Sequence, residues 1–155
     1  MKGNQKVIDY LNFLLADELT AVSQYMVHAE MCANWGYKEL AEHTEKRAIE
    51  EMKDAEKHIG RILFLEGQPV VSNLNKMHIA PDVHAQLKSD HEAEAGAVKA
   101  YNDGIKLCTD LADNGTREML EDILGDEEEH IDWIEAQLDQ ISQMGIQLYL
   151  VEQLG

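Results

Sequence analysis

Apolar residues recur three and four positions apart through most of this chain, the spacing of helices that bury one face. The period predicts a first helix from about Gln5 to Asn34, stopped by "NWGY". A second runs from about Lys38 to Glu66 and stops at "GQP", a Gly followed by Pro. About 15 residues, "GQPVVSNLNKMHIAP", follow with no clean period and both prolines. A third helix is expected from about Asp82 to Ala112, broken by "DNG". The fourth runs from about Thr116 to Met144, Gly145 interrupts, and "IQLYLVEQ" forms a short fifth. Short connections after the first and third helices make antiparallel neighbours. The long middle connection can cross the length of a bundle and leave the second and third helices parallel. The expectation is an all-α, four-helix bundle with one long crossover and a short C-terminal fifth helix, one domain over residues 1–155.

The polar positions on these helices carry a repeat. Glu18 and Glu51 lie 33 residues apart, as do Glu94 and Glu127, so the two halves are offset by 76. The same offset carries Tyr25 onto Tyr101 and Asp54 onto His130. Residues three or four apart share a helix face, so Glu127 and His130 aim at one spot, as do Glu51 and Asp54. Glu18 with Tyr25, and Glu94 with Tyr101, share faces seven apart. A lone Glu-x-x-His on a helix is commonly a solvated pair; the fixed offset separates this one from that reading. Four such faces turned to one axis would bury six polar ligands, and carboxylates in that number need cations between them. One Glu from each of two helices and a Glu-x-x-His from the other two is the di-iron or di-manganese pattern. Oxygen ligands with imidazole suit iron or manganese better than thiolate-seeking metals.

Charge narrows the partners. Thirteen Lys plus Arg against thirty Asp plus Glu leave −17, which argues against nucleic acid or an anionic membrane. No apolar stretch approaches the roughly 18 residues of a membrane span. The first apolar run is short, is broken by Asn12 and Asp17, and lacks a cleavage site, a poor signal peptide. Cys32 and Cys108 have neither metal nor redox spacing and read as reduced thiols of a cytoplasmic protein.

"MKG", "ADEL" around Glu18, "QYMVHAEM", "NWG", "EEMK", "RILFLEG", "LEDIL", "DEEEHIDW" and "MGIQLYL" together resemble the bacterioferritins over essentially the whole chain. That resemblance implies a ferritin-like fold and a hollow homo-oligomeric shell of 24 subunits built from dimers. It implies iron storage, with Fe(II) oxidised by O2 or H2O2 at a ferroxidase centre inside each bundle. Carried over by position, Glu18 and Glu94 are terminal carboxylates, Glu51 and Glu127 bridge, and His130 supplies imidazole. Tyr25 and Trp133 match aromatic residues close to the centre. Met52, about 100° around the helix from the Glu51 face, matches the axial ligand of a b-type haem shared by two subunits. Leu19, Val22 and Met26 form an apolar stripe beside Glu18 that is consistent with a pocket or dimer interface. A small bacterioferritin-associated ferredoxin is the implied reductase, docking on an acidic surface.

Asp54 departs from the pattern, because the family has histidine there. Two Fe(II) ions balance four carboxylates; a fifth leaves the shell one negative charge in excess, which favours Fe(III). The site is expected to bind metal yet turn over differently. The alternative is a haem-binding structural subunit with an impaired di-iron site, co-assembled with an active one. A rubrerythrin-like peroxidase is opposed by the missing Cys-x-x-Cys pairs. His58, one turn beyond Asp54, reads as a supporting or core residue. Lys46 and Glu50 occupy positions where some family members bind iron on the inner surface, but a protonated Lys46 cannot ligate. His91 lies three residues before Glu94, but the repeat gives it no partner, and it reads as structural or exposed; His28, His43, His78 and His84 carry no motif.

Overall fold

The computed structural model describes residues 1–155. The helices are α1 (Gln5–Asn34), α2 (Lys38–Phe64), α3 (Val83–Asp110), α4 (Asn114–Met144) and α5 (Ile146–Glu152), with no strands. Asn4, Asp82 and Asp113 cap α1, α3 and α4 by accepting from backbone N–H groups two or three residues on. The expected all-α architecture holds, and the predicted ends fall within about two residues of these.

Contacts fix the directions. Gly3 N–H donates to the Leu65 carbonyl at 3.0 Å, so α2 ends where α1 begins and the two are antiparallel. The crossover then retraces α1. Asn12 meets Gln68 and Val70, Thr20 accepts from Asn75 N–H at 2.8 Å, and Gln24 accepts from His78 N–H at 3.0 Å. His28 Nε2 accepts from Ala80 N–H at 3.1 Å. That bond makes His28 Nδ1 the protonated nitrogen, and it donates to Asp90 Oδ1 on α3 at 3.0 Å. Gln24 Nε2 donates to the same oxygen at 2.9 Å. So α3 starts beside the end of α1 and runs parallel to α2, as the long strap requires. Arg61 near the end of α2 donates to Thr116 and Asp113 at the start of α4, making that pair antiparallel.

Two apolar clusters fill the ends of the bundle. One gathers Leu11, Leu14, Leu15, Ile62, Leu65, Leu120 and Ile123; the other gathers Cys32, Leu40, Leu87, Ile134, Ile141 and Tyr149 of α5. Between them the bundle's middle is polar, and the repeat residues lie there.

Three helix ends use the same hydrogen-bonded reversal, but only one places glycine in its left-handed position. Gly36 has φ 83°, whereas Glu66 and Ala112 have φ 63° and 56°. Gly67 serves a different need: a Cβ there would stand 2.6 Å from Ile8 Cγ2. Because Ala112 is exposed and strained, Ala112→Gly is expected to stabilise the fold by about 1 kcal/mol. Calorimetry of the metal-free protein should show a midpoint raised by a few degrees; an unchanged or lower midpoint refutes the strain.

Candidate metal centre

The middle of each helix brings its acidic residue to one point. One ligand atom from each of Glu51, Glu94, Glu127 and His130 lies within 4.8 Å of the others, and the same holds for Glu18, Glu51, Asp54 and Glu127. The two groups share Glu51 and Glu127, the pair expected to bridge. All five carboxylates are buried, none more than 4% exposed. Glu18 Oε2, Glu94 Oε2, Glu127 Oε1 and His130 Nδ1 have no hydrogen-bond partner. A buried polar atom left bare costs stability. These four residues all belong to the two groups, and their bare atoms are available to an ion.

The atoms that do have partners are held in register for that purpose. Tyr25 on α1 donates to Glu94 Oε1 on α3, and Tyr101 on α3 donates to Glu18 Oε1 on α1. The sequence repeat is therefore a structural exchange, each half orienting the other's carboxylate. Behind Tyr101, the fully buried His58 donates from Nε2 to the tyrosine oxygen at 2.6 Å. Burial holds His58 neutral, with its pKa down to about 3. His130 donates from Nε2 to Glu50 Oε2 at 2.8 Å, which fixes the ring and leaves Nδ1 as a bare lone pair. Burial, then the Arg47 charge, hold its pKa below 6.5. Trp133 stacks on His43 with ring centres 3.6 Å apart, beside the centre rather than in it. Neither the pairing of Glu50 with His130 nor the place of Arg47 follows from the sequence pattern.

Arg47 is the buried cation of the group. Its Nη2 donates to Glu51, to Glu94 at 2.8 Å and to Glu127 at 3.3 Å. Burial alone would lower its pKa, but Glu51, Glu94 and Glu127 outweigh that and keep it charged. Asp54 lies in the second group, and its Oδ1 accepts from Lys57 Nζ at 2.9 Å. Burial raises the Asp54 pKa, and Lys57 works against it. Burial and then neighbouring Glu51 push both Glu18 and Glu127 well above 4.5. Burial acts upward on Glu94 too, but Glu127, Arg47 and Tyr25 outweigh it and leave Glu94 below that value.

Two clefts reach the centre. One of about 530 Å³ opens between α1 and α3, with Glu18, Glu51, Glu94 and Glu127 among its walls. The other, of about 230 Å³ between α2 and α4, is lined by Glu50, Lys53, Asp54, Lys57, Asp126, Glu129 and His130, with no apolar side chain. Met52 faces away, 43% exposed. His91 pairs with Glu135 at the surface, at 2.9 Å.

Residues 8–144 match the ferritin-like domain. The chain is 38% identical to the bacterioferritins of Mycolicibacterium paratuberculosis and Brucella melitensis, covering 96% of itself and 94% and 92% of those proteins. It is likewise 38% identical to the bacterioferritin of Rhodobacter capsulatus, with 95% and 91% covered.

The raised carboxyls set a pH dependence. For a group with a raised pKa in the fold, the stability it contributes is complete below its unfolded value, here 4.5, and is lost as pH climbs through the folded value. The metal-free protein should therefore lose thermal stability as pH rises above 4.5, and Glu18→Gln should flatten that decline. Calorimetric midpoints across pH check this; parallel profiles for the two proteins would refute it.

Proposed function

The chain belongs to the bacterioferritin family of ferritin-like iron-storage proteins, and from that premise we propose that each subunit oxidises Fe(II) within its own bundle and passes ferric iron to the interior of a shell. The single observation that carries this reading is the meeting of two four-residue ligand groups inside the bundle, sharing Glu51 and Glu127, with bare buried atoms on Glu18, Glu94, Glu127 and His130. Fe(II) is the substrate. Glu51 and Glu127 contact both ions, Glu18 and Asp54 hold one, and Glu94 and His130 hold the other. Two Fe(II) ions would surrender one electron each, and with two protons these reduce one O2 to H2O2 or one H2O2 to two waters, while the carboxylates stabilise the two Fe(III) ions that result. Tyr25 and Tyr101 orient Glu94 and Glu18, and the Glu50 carboxylate keeps His130 in the tautomer whose Nδ1 is free.

The wider assembly is part of the proposal. Met52, with Ile49 beside it and Met26 on α1, leaves apolar surface outside the bundle. This face suits a dimer two-fold at which Met52 from each subunit ligates one b-type haem. Twelve such dimers would close the shell of 24. A cytoplasmic setting and a bacterioferritin-associated ferredoxin as reductase follow from the same reading, and the acidic surface calls for a basic partner face.

One observation favours a second reading. Asp54 is tied to Lys57 and Arg47 lies among three of the carboxylates, as in a haem-carrying structural subunit whose di-iron site is impaired. Oxygen-dependent oxidation of Fe(II) titrated into metal-free protein separates them. A fast phase saturating near about two irons per chain is expected, and Asp54→His should change its rate. Oxidation no faster than that of free iron would instead support the impaired subunit. Met52→Leu should yield protein without a haem absorption band and with the iron oxidation intact; a retained band would remove Met52 as the ligand.

A further inference from the structure

Arg47 is the one lysine or arginine buried in this bundle. A single nitrogen, Nη2, bonds Glu51, Glu94 and Glu127. Those are three of the four members of one ligand group, whose fourth is His130. An ion held by that group would draw on the carboxylates that this nitrogen already holds, so guanidinium and metal ion compete for them. The other group, Glu18, Glu51, Asp54 and Glu127, shares two of these glutamates, so the same nitrogen touches it as well, and Lys57 reaches its Asp54 from the α2/α4 cleft.

The shortest bonds of the guanidinium all come from Nη2. Its Nε is buried without a partner, and its carbon stands 5.5 Å from the centre of the Tyr25 ring, a contact with no directional bond. Nη1 already reaches Glu50 Oε2 at 3.4 Å. Glu50 is three residues further along the same helix, its side chain 37% exposed, and it lines the cleft that also holds Asp126 and Glu129. Rotation about the arginine side-chain bonds is enough to carry the charge from the three carboxylates to that acidic wall, because residues three apart share a helix face.

We propose that Arg47 is an exchangeable internal cation, occupying the Glu51–Glu94–Glu127 group of the metal-free protein and moving to Glu50 when a divalent ion enters. The inference rests on the metal-centre reading above. Without Arg47 the metal-free bundle would bury these carboxylates with no counter-charge among them, a strongly destabilising arrangement. With it, an ion entering the His130 half must displace Arg47 from three of its four ligands, whereas at the Asp54 half Arg47 holds two and the half-exposed Lys57 a third. The two ions therefore bind unequally, the weaker at the His130 half.

The test is Co(II) titrated into the metal-free wild-type protein and Arg47→Gln, followed by calorimetry and visible absorption. Two unequal binding events are expected in the wild type. In Arg47→Gln the weaker event should tighten about tenfold or more, while the thermal midpoint of the metal-free protein falls. Unchanged affinities in the variant, or loss of the second event, would overturn the role of Arg47 and leave the metal centre standing. No Co(II) binding by either protein would overturn both. A crystal structure of the wild type with Zn(II) decides the matter even where the variant fails to fold. Arg47 found against Glu50 supports exchange; Arg47 still between Glu51, Glu94 and Glu127, with zinc confined to the other group, overturns it.

Discussion

Five carboxylates gathered at one point inside a helical bundle impose the condition that the rest of this structure answers. Their mutual repulsion and lost hydration oppose folding unless protons, hydrogen bonds or cations intervene. The fold supplies all three. Glu18 and Glu127 hold protons more strongly, Tyr25 and Tyr101 donate to the far carboxylates, and Arg47 brings one positive charge to the centre. The apolar clusters lie at the two ends because the middle is taken. The crossover is pinned to α1 and α3 by Gln24, His28 and Asp90, a buried polar network beneath the strap.

The two halves of the chain form this centre by exchange rather than side by side. Each tyrosine serves the other half's glutamate, so Glu94 and Glu18 are each oriented from the opposite half. The symmetry breaks at two places. Asp54 faces His130 across the repeat, and Arg47 corresponds, at the same offset of 76, to Ile123 of the apolar core. One ligand group thus carries an internal cation and an imidazole, and the other carries an extra carboxylate.

Much of this is legible in the sequence, for physical reasons. Helical periodicity is local and strong, so the elements and the topology follow from it. Their ends are blurred where Glu66 and Ala112, not glycine, take the left-handed turn. The repeat brings Glu18, Glu51, Asp54, Glu94, Glu127 and His130 together because a bundle must superpose equivalent helix faces. Arg47 gives no such signal, although positions 47, 51, 54 and 58 form one stripe; in so charged a stretch an arginine reads as solvated. The pairs His28–Asp90 and Glu50–His130 span 62 and 80 residues, and no local pattern signals them.

The charge count gives Asp54 and Arg47 a common meaning. Taken alone, Asp54 leaves two Fe(II) ions facing five carboxylates, an excess of one negative charge that favours the oxidised ions and their retention. With both ions bound, the proposed exchange leaves Arg47 against Glu50, still beside the centre, where its charge offsets that excess. Lys57 screens Asp54 from the cleft side, but its ammonium is half exposed, and water weakens its effect. The buried arginine is therefore the stronger correction. A site with aspartate in the place of histidine need not be a damaged one: its missing neutrality is restored seven residues upstream on the same helix face.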